Sequence, residues 1–291
     1  MNRICIVFPG GSYGTFLDWC LNYFSKPDTD QTMPFRTTGS SHNFDGNHIT
    51  VSDLASYGTE HKLNTARLHP KTNAEDDIFE VLEYVKGYFE KVIYLHPTVD
   101  SMAWTINNKF EKVWDEGWVK HYEAQFQDNL KSWNKNSIDG METWEQREFL
   151  SMYIYQQHLI ENEVENLEPI KSQFPDFLFV DITDLRDQFR ATLGQVFAYW
   201  GHELVNIDQI DSVFRTWIDL QRHCHKDKAI KHIADSVCND QACDWSADKL
   251  TLADEALLQM QLRNRGLELR CFDLNQFPTS TDKLRPYLYV A

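Results

Sequence analysis

The sequence predicts an α/β fold in which a doubly wound parallel sheet carries helices on both faces. The first observation behind this is a set of three short apolar runs at residues 4–8 (ICIVF), 92–95 (VIYL) and 177–180 (FLFV). None of them alternates in polarity, so each belongs to a strand covered on both faces, as central parallel strands are. The second is that an amphipathic helical pattern follows each run, and such strand–helix alternation produces parallel sheets.

The elements follow in order. After the first run, Phe16, Leu17, Cys20, Leu21 and Phe24 recur at helical spacing. Residues 31–57 are rich in Gly, Ser, Thr, Asn and Asp and read as an irregular excursion holding one strand at 48–51. A further strand precedes His69. Ile78, Val81, Leu82, Val85 and Phe89 mark a helix that leads directly into the second run. Met102, Ala103, Ile106, Phe110 and Val113 continue it helically. Residues 115–169 carry Trp118, Trp133 and Trp144 and end in a long helix at about 149–167; they read as a helical insertion. After the third run come Leu185, Phe189, Leu193, Val196, Phe197 and Trp200, with Gly201 as the terminator. From about residue 206 the chain is a mostly helical extension, with a last strand at 267–272. With no internal repeat and no clear linker, one domain spanning 1–291 is expected.

Charge and composition exclude some functions. A formal net charge of -16 over 291 residues gives no basic face for a nucleic-acid backbone. The apolar runs are too short for a signal peptide or a membrane span. The six cysteines are scattered, and Cys5 and Cys20 fall at apolar positions, as buried thiols do. The expected setting is cytoplasmic, with no nucleic-acid or membrane partner.

The chemistry is concentrated after the first strand, in Pro9-Gly10-Gly11-Ser12-Tyr13-Gly14-Thr15. Glycines let backbone N–H groups approach an anion closely, and the first turn of the following helix adds its own N–H groups and positive dipole end. Thr15 can add a hydroxyl. The turn lacks the lysine of a Walker A loop and the glycine spacing of a dinucleotide site. Gly10, Gly11, Ser12, Tyr13, Gly14 and Thr15 are therefore the candidate anion-binding residues. Two acid-free windows in this acidic chain, 31–44 and 61–74, suggest a local anion-attracting surface; the second holds His61, Lys62, Arg67, His69 and Lys71.

These features resemble the sulfotransferase family. Pro9 to Leu17 is similar to the turn with which that family holds the phosphosulfate of 3′-phosphoadenosine 5′-phosphosulfate. Lys91 to Leu95 with Asp100 resembles its second phosphate segment. Phe177 to Val180, Thr183-Asp184-Leu185 and the helix ending Trp200-Gly201 resemble its late strand, turn and helix. Thr65-Ala66-Arg67-Leu68-His69-Pro70 is similar to the stretch that carries its catalytic histidine. The resemblance covers about residues 1–205 and implies a P-loop NTPase-like fold. It also implies sulfuryl transfer from that donor to a hydroxyl or amine on a small molecule or glycan. By the same resemblance His69 is the base and His96 and Thr105 stand in the donor site, with no metal required; Arg67 or Lys71 of the acid-free window would aid charge neutralisation. Ser12, His96 and Trp104 with Thr105 stand where the family carries a basic residue, an arginine and a serine. A binding protein that has lost catalysis therefore stays as an alternative, and behind it a nucleotide-dependent kinase.

Two further clusters have the chemistry for a site. His223, Cys224, His225, His232, Cys238 and Cys243 are zinc-ligand types, but their spacing fits no common zinc pattern and reads as a histidine-rich helix with packed thiols. Arg263 and Arg265 precede Gly266 and offer a late source of positive charge.

Overall fold

A computed structural model describes residues 3–8, 13–25, 48–49, 65–68, 77–98, 101, 127, 130–131, 149, 166–219, 226–245, 252–269 and 279–290. The chain divides into two compact units, residues 1–98 with 161–224, and residues 99–160 with 225–291.

The first unit holds a five-stranded sheet. Its strands are β1 (Ile4–Val7), β2 (His48–Ile49), β3 (Thr65–Leu68), β4 (Lys91–His96) and β5 (Leu178–Asp181). The order is β2-β3-β1-β4-β5, and every pairing is parallel. Ile4 of β1 lies opposite Thr65 and Lys91, and Val7 opposite Leu68 and Tyr94. The α/β class and the parallel sheet expected from the apolar runs are present.

Alternation along the strands assigns the faces. Cys5, Val7, Val92 and Tyr94 form one buried cluster with α2 (Ile78–Tyr88) and α3 (Leu167–Gln173), through Ile78, Val81, Leu82, Val85, Ile170 and Phe174. The intervening Ile4, Ile6, Ile93 and Leu95, all 0% exposed, face the opposite layer. That layer contains α1 (Gly14–Phe24), α5 (Phe189–Trp200) and α6 (Ile210–Asp219). The ring of Phe16 stacks on Trp217 of α6 at 4.1 Å and lies 5.5 Å from Phe189 of α5.

Local chemistry sets the helix ends. The Asp77 side chain accepts a hydrogen bond from the Phe79 N–H at 2.9 Å and caps α2. Asp181 ends β5 and caps α4 (Ile182–Asp187) by accepting from the Thr183 N–H at 2.9 Å. Gly201 ends α5 with φ 78°; its N–H and that of His202 return to the carbonyls of Phe197 and Ala198. The single helix expected from Leu185 to Trp200 is two, because Gln188 leaves helical geometry between α4 and α5. Helix α3 contains Pro169 in its first turn, where no backbone N–H is needed. The helix expected after β4, most of the Trp-rich insertion and its long helix lie outside the described residues.

The second unit contains α7 (Lys226–Cys238) and α8 (Leu252–Arg263), which pack on each other. It also has a short antiparallel pair, β6 (Leu267–Leu269) and β7 (Leu288–Val290), with α9 (Thr281–Leu284) before β7. Arg265 ties the end of α8 to α7: its guanidinium donates to Asp235 at 2.7 and 3.0 Å and to the Gln261 carbonyl at 2.7 Å. Asp254, Glu255, Gln259 and Gln261 of α8 are all at least 96% buried beside Leu257, Leu258, Met260 and Leu262. The helix is therefore covered on every side. The last expected strand is present over Leu267–Leu269, with residues 270–272 outside the described residues, and β7 has no counterpart in the sequence reading.

Candidate functional site

The strand order fixes where a ligand belongs. The chain leaves β1 toward β2 and β3, and leaves β4 toward β5 on the other side. Connections diverge at the carboxyl ends of β1 and β4, and open parallel sheets bind ligands in the crevice at such a point. The segment singled out for anion chemistry follows β1 at this place. Its Gly10, Gly11 and Ser12 lie outside the described residues, as do His69, Lys71 and Thr105.

What is described of the turn changes the reading of its glycines. Tyr13, not a glycine, takes the left-handed conformation, with φ 64° and ψ 20°. For an L-residue that costs roughly 1–2 kcal/mol. Its ring is 5% exposed and meets Trp217 edge-on at 5.3 Å, so aromatic packing offsets the strain. Gly14 opens α1, and a Cβ built there would lie 2.2 Å from the buried Phe8 ring. Glycine at 14 is thus required for the close approach of α1 to the end of β1, whatever binds nearby.

The start of α1 suits an anion. No side chain among the described residues caps it, its first turn carries no acid, and Thr15 lies within that turn. The aligned N–H groups and dipole favour negative charge there. One turn further on, Asp18 is 3% exposed, and Asn22 donates to its backbone carbonyl at 2.9 Å. This acid helps to push both the Cys5 and Cys20 thiols up, after burial as the larger cause.

His96 ends β4 at the same edge. It has the strand parity of Val92 and Tyr94, so it faces the α2 and α3 layer rather than α1. Its ring lies 6.4 Å from those of Tyr94 and Phe179, and Asp181 sits directly opposite it in register. The ring is 6% exposed, and its Nδ1 has no hydrogen-bond partner. Burial holds the imidazole below its ordinary value; Asp181 opposes this, Lys171 adds to it, and the Pro97 carbonyl and Glu168 oppose it. At neutral pH it is an uncharged ring, not the permanent cation that an arginine would be.

Positive charge is scarce at this edge among the described residues. Asp181 ends β5, Asp184 and Asp187 follow it, and Arg186 is held by Asp187 through two contacts of 2.9 Å. Burial, Asp181 and Asp187 raise the Asp184 carboxyl. Lys91 lies over the Tyr199 ring at 4.6 Å, at the amino end of β4. Arg67 is in β3 opposite Ile6, one residue short of the carboxyl end. Arg263 pairs with Glu268 at 3.0 Å and Arg265 with Asp235, so both late arginines are occupied within the second unit. Asp181, Asp187 and the buried Asp18 were missed in the sequence, whereas Asp184 was named only as part of a turn. An aspartate in register with His96 becomes visible only once strand pairing is known.

One described feature therefore fits phosphate oxygens, the start of α1. Among the described residues no group of three or more His, Cys, Asp or Glu could hold a metal ion, and no helix is long and apolar enough to cross a membrane. His223, Cys224 and His225 lie outside the described residues. Compared with known proteins, the chain matches no family model and no curated relative.

Proposed function

We propose that the chain holds a phosphate-bearing nucleotide at the carboxyl ends of β1 and β4 in a P-loop-like fold. The reaction is transfer of a sulfuryl group from 3′-phosphoadenosine 5′-phosphosulfate to a hydroxyl or amine acceptor in the cytoplasm. The observation that supports it is the start of α1 at the divergence point of the sheet, with no side-chain cap among the described residues and no acid in its first turn. The backbone of residues 10–15 would cradle the phosphosulfate. Sulfuryl transfer asks the protein mainly to position and to neutralise charge, as phosphoryl transfer does. In this scheme His69 takes the acceptor proton, and Arg67 and Lys71 offset the charge that develops.

Calorimetric titration with 3′-phosphoadenosine 5′-phosphate, ATP and AMP tests the reading. Preference for the 3′-phosphorylated nucleotide is expected. Equal affinity for AMP would remove the donor assignment, and no heat with any of the three would remove the site. Ser12→Lys, which returns a cation to the turn, should tighten that binding by about tenfold.

A second reading keeps the binding and drops the chemistry. It is favoured by the neutral, buried His96 and by Asp18, because a transferring site needs positive charge where the transition state develops its own. Donor labelled on sulfur separates the two. Label appearing on an acceptor, or released to water faster with protein than without, belongs to the enzyme alone.

A further inference from the structure

Tyr13 stands directly before α1 with a left-handed backbone, φ 64° and ψ 20°, and Gly14 after it is the first helical residue. A left-handed residue followed by a helical one turns successive N–H groups toward one side, and such a concavity receives anions. The conformation at 13 therefore sets where the N–H groups of residues 13–15 point. An L-residue adopts it at a disadvantage of about tenfold, which glycine escapes. The side chain shows what holds it. The Tyr13 ring is 5% exposed and meets the Trp217 ring edge-on, with centroids 5.3 Å apart and planes at 83°. Trp217 lies in the last turn of α6, itself buried, and is fixed by two other helices. Its ring stacks on Phe16 of α1 at 4.1 Å and 9°, and Phe16 in turn stacks on Phe189 of α5 at 5.5 Å. Phe214, one turn earlier in α6, stacks on Phe189 at 5.2 Å. The angle ψ at Tyr13 sets where its Cβ emerges relative to α1. Relaxing to a helical ψ of about −40° or an extended one of about 130° would carry the ring off Trp217. Both the edge-on contact and the burial would then be given up.

We propose that Trp217 is a positioning residue for the anion turn: by gripping the Tyr13 ring it holds residue 13 left-handed and keeps the N–H groups of residues 13–15 directed at the ligand's phosphate. The inference rests on the binding site proposed above and names what fixes its backbone. Affinity scales with the fraction of molecules whose turn is in the binding conformation. Without the ring contact, the backbone preference of an L-residue lowers that fraction, and the affinity with it, by about tenfold.

Ring contact and backbone preference separate at position 13 itself. Tyr13→Ala and Tyr13→Gly both remove the ring, but only glycine keeps the left-handed backbone without penalty. Calorimetric titration of the full chain with 3′-phosphoadenosine 5′-phosphate should place Tyr13→Gly within about threefold of the unaltered protein and Tyr13→Ala about tenfold weaker. Trp217→Leu should also weaken binding about tenfold, and adding Tyr13→Gly to it should restore most of the loss. A Trp217 that only supports the fold gives the opposite sign, because the second change removes another buried ring. Trp217→Phe, a milder change, takes the place of Trp217→Leu if the latter has no cooperative melt; its smaller loss should likewise be reversed by Tyr13→Gly. Equal affinities of folded Tyr13→Ala and Tyr13→Gly would overturn the role of the left-handed backbone. Unchanged affinity in the Trp217 variant, or a loss that Tyr13→Gly does not reverse, would overturn the positioning role and leave the anion site. Absence of binding by the unaltered protein would remove the site and the positioning role together.

Discussion

Gly14 shows how one residue can be legible for the wrong reason. Its place in a glycine-rich turn points to an anion cradle, yet its required contact is with the Phe8 ring, which lies where a side chain would begin. One residue earlier, Tyr13 takes the positive φ that glycine-rich turns normally reserve for glycine. Gly14→Ala should therefore destabilise the fold by about 1–3 kcal/mol through overpacking, reduced by the roughly 1 kcal/mol that alanine gains in a helix. A denaturant double-mutant cycle checks this. In a Phe8→Ala background, itself costly, the same Gly14→Ala change should be neutral or stabilising because the clashing ring is gone. An equal cost in both backgrounds would mean that the backbone at 14, not the ring, demands glycine. The same contact makes any bulky residue at Gly14 a poor test of ligand binding, since the loss would report packing. His96 is the opposite case. Its position was legible, but its burial and the facing Asp181 depend on pairing between β4 and β5, which no local pattern encodes.

At the scale of elements, β1 and β4 were readable because they are buried on both faces and so are almost continuously apolar. Helices α1, α2 and α5 were readable because each presents an apolar stripe to a sheet face. Short elements were not. Helix α3 has seven residues with Pro169 inside it, and β7 has three residues, two of them exposed. Neither offers enough periodicity to register, and both are defined by what they pack on or pair with. Tyr199 illustrates a link between elements that no motif announces. Its hydroxyl lies 2.8 Å from the Asp176 carbonyl and receives the Val92 N–H at 3.2 Å, fastening α5 to β4 and to the turn before β5. Burial is the main cause that raises this phenol above its ordinary value of 10.0. The unfolded chain therefore ionises first, so the contribution is complete below pH 10 and is lost as pH rises through the folded value. Tyr199→Phe should lower stability by about 1–3 kcal/mol at neutral pH by leaving the Val92 N–H without its acceptor. It should also flatten the loss of stability above pH 10. Urea melts of both proteins from neutral to alkaline pH measure the two effects, and parallel alkaline losses would show that Tyr199 does not titrate as argued.

At the scale of the whole molecule, the acidic balance limits partners while the order of chain segments limits how the protein can be divided. A net charge of -16 leaves no basis for retaining duplex DNA by its phosphates, so a binding surface for anions has to be local and built from backbone as much as from side chains. The units interleave: the first takes residues 1–98 and returns at 161–224, and the second takes 99–160 and 225–291. The segment 1–160 contains β1 to β4 but lacks β5, α4, α5 and α6. Without them β4 loses its partner along Ile93 to His96, and Ile4, Ile6, Ile93 and Leu95 lose α5 from the layer that covers them. Removing so much apolar cover exceeds the margin of roughly 5–15 kcal/mol by which domains are stable. A protein ending at residue 160 should therefore show no cooperative thermal transition by circular dichroism. One ending at residue 224 contains every segment of the first unit and should keep a cooperative transition. A sharp melt of the 1–160 protein would show that β5 and the following helices are accessory to the sheet. The carboxyl-edge site would then have to be sought without Asp181 and its neighbours.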